Sequence, residues 1–173
     1  TAVVTGQQGE DIYTEEYGRI KVKFHWDSSP QEDDTTSCWI RVATLWAGQN
    51  WGTLFTPRVG QEVVVSFIDG DPDNPLVIGT VYNGVNKPPY LPSDPTKSTI
   101  KSQTSPSSGE STPGYNEFRF EDKQYSEEVY IHAQKDFNID IQNDQNITIV
   151  GGSRAIVLEA QAEQNEQTQT GQQ

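Results

Sequence analysis

The sequence is poor in the residues that make cross-links and metal sites. It contains one cysteine, Cys38, among 173 residues, so it cannot form an intrachain disulfide. Its two histidines, His25 and His132, lie in separate alternating segments far from Cys38 and lack the ligand spacing of a zinc site. We expect both histidines to be packed or solvent-facing strand residues, and the sequence predicts no bound metal and no other cofactor.

Apolar residues are also scarce. The hydrophobic fraction is 32% and the mean hydropathy is -0.71, which is low for a compact globular chain. Either part of the chain is disordered, or its apolar surface is completed by other copies. A run of about 18 apolar residues and a charged-then-apolar leader are both missing, so we expect no signal peptide and no stable membrane insertion. The chain has no methionine and begins with Thr1, which predicts a piece of a longer product.

Positive charge is the third shortage, with 12 basic against 25 acidic side chains and a net charge of -13. Such a surface repels phosphate backbones, so we expect no nucleic-acid partner. A barrel that binds single strands needs a basic groove with aromatic platforms, and Lys21 and Lys23 do lie near Trp26 in the sequence. Packing in the core or between subunits explains the tryptophans better, and we expect the two lysines to pair with neighbouring acids.

Alternation of apolar and polar residues is abundant. In "RIKVKFHW" (19–26) the apolar side chains occupy every second position, which is typical of a half-buried strand. Short strands separated by Gly/Pro turns predict that residues 1–83 form a small all-β barrel. The composition of residues 84–114, dense in Pro, Ser, Thr and Gly, predicts an extended linker. The predicted barrel strands lie within 1–6, 19–26, 38–44, 62–68 and 76–82.

Alternation resumes over residues 115–160, for example in "NEFRFED" (116–122) and "EEVYIHA" (127–133). Each strand has one apolar side, and the sequence offers no second layer to cover it, which favours strands that wind around partner chains. The polar tail, 161–173, is predicted to be frayed or disordered. The candidates for a trimer core share one parity and are Phe137, Ile139, Ile141, Ile147 and Ile149.

The segment "FIDGDPDNPLVIG" (67–79) places Asp69, Asp71 and Asp73 two positions apart. A calcium loop that begins at Asp69 would need Gly at its sixth position and Glu at its twelfth, where this chain has Asn74 and Thr80. Asp, Gly, Pro and Asn are turn formers, and apolar β-branched runs flank them. The segment therefore predicts a turn between two antiparallel strands, with no calcium bound.

The segment "WAGQNWGTLFTPRVGQ" (46–61) combines three glycines with large aromatic side chains. One interpretation is a loop that packs over the end of the barrel. The other is a surface that packs against adjacent protomers, since aromatic residues are enriched at interfaces. The interface candidates are Trp46, Trp51 and Phe55, and the sequence leaves both interpretations open.

Three stretches together resemble the VgrG spike proteins of type VI secretion systems and the baseplate hub-and-needle protein of contractile-tail phages. They are "EEYGRIKVKFHWD", "CWIRVATLWAGQNWGTLFTPRVGQEVVVSFIDGDPDNPLVIGTVYNG" and "GYNEFRFEDKQYSEEVYIHAQKDF". The resemblance runs from about residue 10 to about residue 152. It implies an all-β chain, with an OB-fold-like barrel followed by the start of an intertwined trimeric β-helix or β-prism needle.

The resemblance also implies a function: a structural part of the membrane-puncturing spike, a rigid homotrimer that transmits force. Implied partners are a tip protein or effector at the distal end and sheath or tube components reached through a hub that this chain lacks. The implied location is assembly in the bacterial cytoplasm and delivery by contractile injection. Phage needle tips of this kind use a His-x-His pair, which is missing around His132.

No enzymatic activity is expected. The phage T4 relative carries a lysozyme domain between barrel and needle, but residues 84–114 are too few to hold one. Glycosidase chemistry needs two placed carboxyl groups, one of them buried, and nothing in the sequence marks such a pair. The alternative function is a soluble OB-fold module that binds oligosaccharide or single-stranded nucleic acid.

Overall fold

The computed structural model describes residues 1–105 and 113–152. The chain divides into two units, Thr1–Asp136 and Phe137–Gln173, which are described separately. The described residues of the first unit contain ten strands, and no helix among the described residues is long and apolar enough to cross a membrane. The strands are β1 (Ala2–Thr5), β2 (Lys21–Phe24), β3 (Arg41–Val42), β4 (Ala47–Gly48), β5 (Trp51–Gly52), β6 (Glu62–Phe67), β7 (Pro75–Val81), β8 (Lys97–Lys101), β9 (Glu117–Glu121) and β10 (Glu128–His132).

Five of these strands form a curled sheet with the order β2-β1-β6-β7-β3. β1 pairs antiparallel with β2 and β6, β6 pairs antiparallel with β7, and β3 lies parallel to β7. A register shift between Val64 and Val65 interrupts the β6–β7 ladder, and such bulges bend a sheet. The predicted all-β barrel fold is confirmed, and each of the five predicted barrel segments contains or overlaps a strand of this sheet.

The core of the curled sheet is small. Its fully buried members alternate along the strands because successive side chains point to opposite faces. An isolated bridge between Ile20 and Ile40 joins the segment before β2 to the segment before β3. Of the apolar side chains that the structure describes, seven are buried: Ala2, Val4, Ile20, Val22, Ile40, Val63 and Val77.

The acidic segment between β6 and β7 is a turn, as predicted. The ladder closes at the Phe67–Pro75 pair, and a short 3-10 segment spans Ile68–Gly70. Asp69 adopts the left-handed conformation with φ 54°, and the Asp71 carboxylate accepts a hydrogen bond from the backbone N–H of Asp73 at 3.0 Å. The carboxylates therefore serve the turn itself, and the absence of calcium binding stays a prediction.

The segment 84–114, predicted to be an extended linker, contains strand β8. β8 pairs with β9, and β9 pairs with β10, in a three-stranded antiparallel sheet of order β10-β9-β8. Composition alone could not show this pairing, because the partner strand begins only at Glu117, well after β8 ends at Lys101, and strand formation depends on such neighbours. Residues 106–112 of the predicted linker lie outside the described residues.

The second unit differs from the prediction in its local structure. Alternation predicted strands over 136–160, but the described residues of this stretch, 136–152, form no strand in the single chain. A strand needs a neighbour to satisfy its backbone N–H and C=O groups, and none is supplied within those residues. The rest of the predicted needle, 153–160, and the predicted frayed tail, 161–173, lie outside the described residues.

Candidate subunit interface

One face of the three-stranded sheet is apolar and open. The register places Ile100, Phe118 and Ile131 side by side on neighbouring strands, and Phe120 beside Val129 in the next row on the same face. All five side chains are exposed in the single chain, from 39% for Phe118 to 64% for Val129. Apolar side chains in register on one sheet face are the usual inner surface of a layered β-structure, and within residues 1–105 and 113–136 nothing covers them.

The opposite face of the same sheet is polar, and most of its buried groups are paired, although the buried Arg119 Nε has no hydrogen-bond partner among the described residues. The Glu117 side chain is fully buried, and its Oε1 accepts hydrogen bonds from the Tyr90 hydroxyl at 2.6 Å and the Thr99 hydroxyl at 2.8 Å. Arg119 lies 3.5 Å from Glu117 and 3.1 Å from Glu128. A buried carboxylate with this set of partners fixes the sheet tightly against the segment that carries Tyr90.

The electrostatics of Glu117 follow from these contacts. Burial alone would raise the pKa of Glu117, but the hydrogen bonds from Tyr90 and Thr99 and the charges of Lys101 and Arg119 outweigh it and hold the pKa below its usual value. The pKa of the Arg119 guanidinium is raised, chiefly because Arg119 donates a hydrogen bond to the Tyr90 hydroxyl. Glu117 and Arg119 are therefore both charged over the physiological pH range.

The ring of Tyr90 holds the segment before β8 against this polar face. Lys97 and Lys101 lie 4.9 Å and 5.1 Å from its ring centroid, and the Arg119 guanidinium lies 5.6 Å away. The same segment is tied to the curled sheet, because the Asn83 amide donates to the Glu62 carboxylate at 2.8 Å. The polar face is thus covered by the chain itself, and the apolar face is the side left for a partner.

A second exposed apolar surface surrounds the β4–β5 hairpin. Trp46 and Trp51 meet edge to face with ring centroids 5.0 Å apart. Gly48 is required beneath them, because an added Cβ would overlap the Trp51 indole. The hairpin forms one wall of a groove of about 740 Å³, whose walls include Leu45, Leu54, Phe55 and Ile78.

The three aromatic interface candidates all lie at this groove. Trp46, Trp51 and Phe55 are 63%, 57% and 66% exposed, so they do not pack into the core of the curled sheet. Trp26 is exposed as well and stacks on Phe24 at 5.0 Å. Exposed aromatic side chains in a fixed arrangement are typical of protein interfaces, which favours the second of the two interpretations left open by the sequence.

The five trimer-core candidates lie in the second unit. Phe137, Ile139, Ile141, Ile147 and Ile149 all remain at least 42% exposed in the single chain. The carboxylate of Asp140, on the opposite parity, accepts a hydrogen bond from the Gln142 amide at 3.2 Å. Their assignment to a trimer core stays a prediction.

The other side chains singled out in the sequence have local roles. His132 stacks on Tyr115 at 4.4 Å, and its Nδ1 lies 3.0 Å from the Tyr115 carbonyl oxygen, so it is a packed strand residue. Lys23 lies 3.8 Å from Glu32, as expected, but its shorter contacts are to the carbonyl oxygens of Ser29 and Gln31. Among the described residues no group of three or more His, Cys, Asp or Glu side chains is placed to hold a metal ion.

Sequence reasoning predicted one apolar side for the strands over 116–133 but named none of its residues, and it missed strand β8 with Ile100 and the Tyr90 contacts. The alternation in "EFRFE" and "EVYIH" was a sufficient signal for Phe118, Phe120, Val129 and Ile131, because each pair shares one parity. Ile100 carried no such signal in a segment of linker-like composition. Nothing local marks Tyr90, whose partners are 7 to 29 residues away along the chain.

Comparison with known proteins gives two family matches. Residues 1–82 match the type VI secretion system/phage-baseplate injector OB domain. Residues 98–172 match the bacteriophage T4 gp5 C-terminal trimerisation domain. The second match begins one residue inside β8 and includes the rest of the three-stranded sheet with its open apolar face.

Individual relatives agree with these matches. The type VI secretion system spike protein VgrG1b of Pseudomonas aeruginosa is 50% identical over 146 residues, covering 84% of this chain and 19% of the relative. VgrG4b of the same organism is 49% identical over 161 residues, covering 92% of this chain and 19% of the relative. The actin cross-linking toxin VgrG1 of Vibrio cholerae is 45% identical over 145 residues, covering 83% of this chain and 13% of the relative. The chain therefore spans a fifth or less of the length of these three relatives.

Proposed function

The chain belongs to the VgrG-type spike proteins of type VI secretion systems, and we propose that it forms the section of a homotrimeric spike where an OB-type barrel passes into the needle. Its role there is mechanical. Three copies join through their apolar sheet faces into one rigid body that carries axial force from the barrel to the needle.

The apolar face of the three-stranded sheet is the observation that carries this proposal. Five large apolar side chains in register face water in the single chain, whereas the other face is closed by Tyr90 and its partners. Full burial of a Val, Ile or Phe side chain stabilises an assembly by about 1.5–3 kcal/mol. Three copies of this face around one axis would bury fifteen such side chains together, and the matched trimerisation domain supports that number of copies.

The remaining candidates extend the same interface. We assign Phe137, Ile139, Ile141, Ile147 and Ile149 to the inner side of the needle, where they would form strands only with partner chains. We assign Trp46, Trp51 and Phe55 to contacts between neighbouring barrels. Both assignments are supported by the exposure of these side chains in the single chain.

This section of the spike is proposed to be structural and not catalytic. The buried carboxylate Glu117 is held charged by its hydrogen-bond partners, so it is not poised as the proton donor that a glycosidase needs. Any enzymatic cargo or tip protein would be carried elsewhere on the spike, beyond these residues. Assembly in the cytoplasm and delivery by contractile injection belong to the same proposal.

The alternative of a soluble barrel that binds single strands or oligosaccharides is not favoured. The Lys21 and Lys23 ammonium groups donate hydrogen bonds to the backbone carbonyl oxygens of Asp34, Ser29 and Gln31, so both side chains are held by local contacts within the chain. The net charge of -13 adds repulsion toward any polyanion.

Val129→Asp tests the proposed trimer. Val129 is 64% exposed in the single chain, so the change should leave each copy folded. In the trimer it would bury a carboxylate in an apolar contact, which costs several kcal/mol. We expect light scattering to give three times the chain mass of 19.3 kDa for the unchanged protein and the mass of one chain for the variant. The far-ultraviolet circular dichroism of the variant should keep the signal of the strands that form within one chain and lose only that of the needle strands.

Val85→Asp is the matched control, because Val85 is 90% exposed and lies in the loop after β7, away from the sheet face. It should remain trimeric. A stable monomer of the unchanged protein at micromolar concentration would refute the proposed trimer. Equal behaviour of the two variants would show that the sheet face is not the interface.

A further inference from the structure

The turn before β6 carries an arginine that reaches from the curled sheet to the three-stranded sheet. The Arg58 guanidinium lies 3.0 Å from the Asp11 carboxylate and donates a hydrogen bond to the carbonyl oxygen of Gln103 at 2.7 Å. Asp11 lies between strands of the curled sheet, whereas Gln103 follows β8. The charged pair is partly buried, so water and salt screen it less than a pair at the surface.

The turn that carries Arg58 is fixed to the curled sheet. The Gln61 N–H donates to the Arg58 carbonyl oxygen at 3.1 Å, and Gly60 supplies the left-handed φ of 85° in this turn. The Gly60 N–H donates to the Val4 carbonyl oxygen at 2.9 Å, and the Val4 N–H donates to the Gln61 carbonyl oxygen at 2.9 Å. Because Val4 is a buried residue of β1, the backbone beneath the arginine is attached to the core.

The group that Arg58 contacts is an edge carbonyl of the three-stranded sheet. Beyond β8, the Ser102 N–H donates to the Asn116 carbonyl oxygen at 2.9 Å. Two residues later, the Thr104 N–H donates to the Gly114 carbonyl oxygen at 2.7 Å. Alternate residues of a strand direct their backbone groups to opposite edges, so the carbonyl of Gln103 points away from this ladder. The guanidinium therefore supplies a donor that the sheet itself does not offer.

The same turn also holds the segment that leaves the curled sheet. The Asn86 amide donates to the Gly60 carbonyl oxygen at 3.1 Å. Earlier in this segment, the Asn83 amide donates to the Glu62 carboxylate at 2.8 Å. Both contacts lie close to the end of β7, so they attach the three-stranded sheet only through the start of the connecting segment.

The Arg58 contact is a second and separate point of attachment. Among the residues that the structure describes, it is the only hydrogen bond or ion pair that joins residues 1–82 to residues 87–136. A body attached at one point can pivot there, as in a hinge, whereas attachment at two points fixes its direction. Arginine suits this task because its planar fork donates to two partners in a fixed geometry.

We propose that Arg58 is a positioning residue that fixes the direction of the three-stranded sheet relative to the curled sheet. It acts through the Gln103 carbonyl oxygen on one side and the Asp11 carboxylate on the other. The purpose assigned to this contact, transmission of axial force, rests on the function proposed above. Without the arginine, each sheet keeps its own fold and the two sheets pivot at the attachment around Asn86.

A distance measurement between two spin labels tests this role. The labels are attached at Asp73→Cys, in the turn between β6 and β7, and at Gln124→Cys, in the turn between β9 and β10, in a Cys38→Ser background. Both labelled positions are exposed. Coexpression with an excess of cysteine-free chain, which carries the same residue at position 58, leaves one labelled copy in most of the labelled assemblies. The measured distance then lies within one chain.

We expect one narrow distance peak when Arg58 is present and loss of that peak to a broad distribution in Arg58→Ala. The far-ultraviolet circular dichroism and the light-scattering mass should stay the same, because both sheets and the apolar face remain. Arg41→Ala is the matched control, since Arg41 is an exposed arginine of β3, and it should keep the narrow peak. Arg58→Lys keeps the charge beside Asp11 but donates from a single nitrogen, so it should fold and also broaden the peak.

A narrow and unshifted peak in folded Arg58→Ala would overturn the proposed role, and so would a broad distribution when Arg58 is present. If Arg58→Ala does not fold, the same unshifted peak in Arg58→Lys would overturn it. Equal broadening in Arg41→Ala would show a general loosening and would count against the inference as well.

Light scattering on the same samples separates this inference from the proposed trimer. The two labels lie in one chain, so their distance can be read in a monomer or in a trimer. A monomer that shows the narrow peak only when Arg58 is present would remove the trimer and retain the positioning role. A trimer whose peak does not respond to Arg58→Ala would retain the trimer and remove the positioning role.

Discussion

At the scale of single residues, Glu117 shows how a buried charge is used on the covered side of the sheet. Its carboxylate accepts hydrogen bonds from Tyr90 and Thr99 and lies beside Arg119. Hydrogen bonds to a charged group contribute about 1.5–3 kcal/mol each when the alternative is an unpaired partner. The contact therefore stabilises the packing of the Tyr90 segment on the sheet as long as Glu117 stays ionised.

Glu117→Gln should make stability at neutral pH lower and less sensitive to acid. The pKa of Glu117 is lowered in the folded state from its ordinary value of 4.5. The stabilisation is therefore fully present above pH 4.5 and is lost as the pH falls through the folded-state pKa. We expect the difference in free energy of unfolding between the unchanged protein and the variant to be about 1–3 kcal/mol at pH 7 and to shrink toward pH 3. Denaturant unfolding across this pH range measures it.

Glu127→Gln is the control for this experiment, since Glu127 is exposed and lies just before β10. It should change the free energy of unfolding little at any pH. A constant difference between Glu117→Gln and the unchanged protein from pH 7 to pH 3 would contradict the role assigned to the ionised carboxylate.

Gly48→Ala should disturb the exposed tryptophan pair without unfolding the curled sheet. The added methyl group overlaps the Trp51 indole, so the ring must shift and its packing against Trp46 must change. We expect altered near-ultraviolet circular dichroism and unchanged far-ultraviolet circular dichroism. Gly84→Ala is the control, because an added Cβ there meets no atom within 4 Å. Identical near-ultraviolet spectra for both variants would show that the pair is not held as described.

At the scale of elements, the three-stranded sheet and the segment after it illustrate two degrees of dependence on partners. The three-stranded sheet of β8, β9 and β10 forms within one chain, and it needs other copies only to cover its apolar face. Residues 137–149 have the same alternation but no strand partner among the described residues. Their backbone groups would be satisfied only in an assembly, where other copies supply the ladder.

Ile139→Asp tests the predicted inner face of the needle. Three copies would bring three carboxylates into a narrow apolar bore, where each unpaired charge costs several kcal/mol. Protonation would relieve part of this cost, because nearby acids raise one another's pKa. We expect the variant to lose the trimer or to fray from residue 137 near neutral pH, and to recover partly on acidification. Gel filtration at pH 7 and pH 4.5 measures this.

Asp140→Ile is the control for Ile139→Asp, because residue 140 lies on the opposite parity of the same segment. It should leave the trimer intact at both pH values. If the two variants elute alike, the inward face has been assigned to the wrong residues.

At the scale of the whole molecule, charge opposes the assembly that the apolar faces favour. Each copy carries a net charge of -13, so the copies repel one another. Repulsion between exposed charges extends over about 30 Å in 0.01 M salt but only about 10 Å in 0.1 M salt. Apolar burial is not screened in this way. We therefore expect the trimer to become tighter as sodium chloride rises from 0.01 M to 0.3 M. Sedimentation over a concentration series measures the dissociation, and a trimer that loosens with salt would show that attractive charge contacts dominate.

The sequence by itself determined the features that depend on neighbouring residues. Period-two alternation located the strands around Val22, Val63 and Phe118, because side chains on a strand alternate between two faces whatever their surroundings. Turn chemistry identified the Asp69–Asp73 segment, because Asp, Gly and Pro set backbone conformation locally. The long resemblance to spike proteins predicted a barrel followed by the start of a needle.

Only the tertiary structure decided which of these features meet. β8 became a strand because β9 lies beside it, although its composition was typical of a linker. Tyr90 acquired its role because folding brings it to Glu117, 27 residues away. Trp26, Trp46 and Trp51 proved to be exposed because the core of the curled sheet is already filled by smaller aliphatic side chains. Strand pairing, side-chain burial and the choice of which sheet face is covered depend on contacts between residues far apart in the sequence. A local sequence pattern does not specify those contacts.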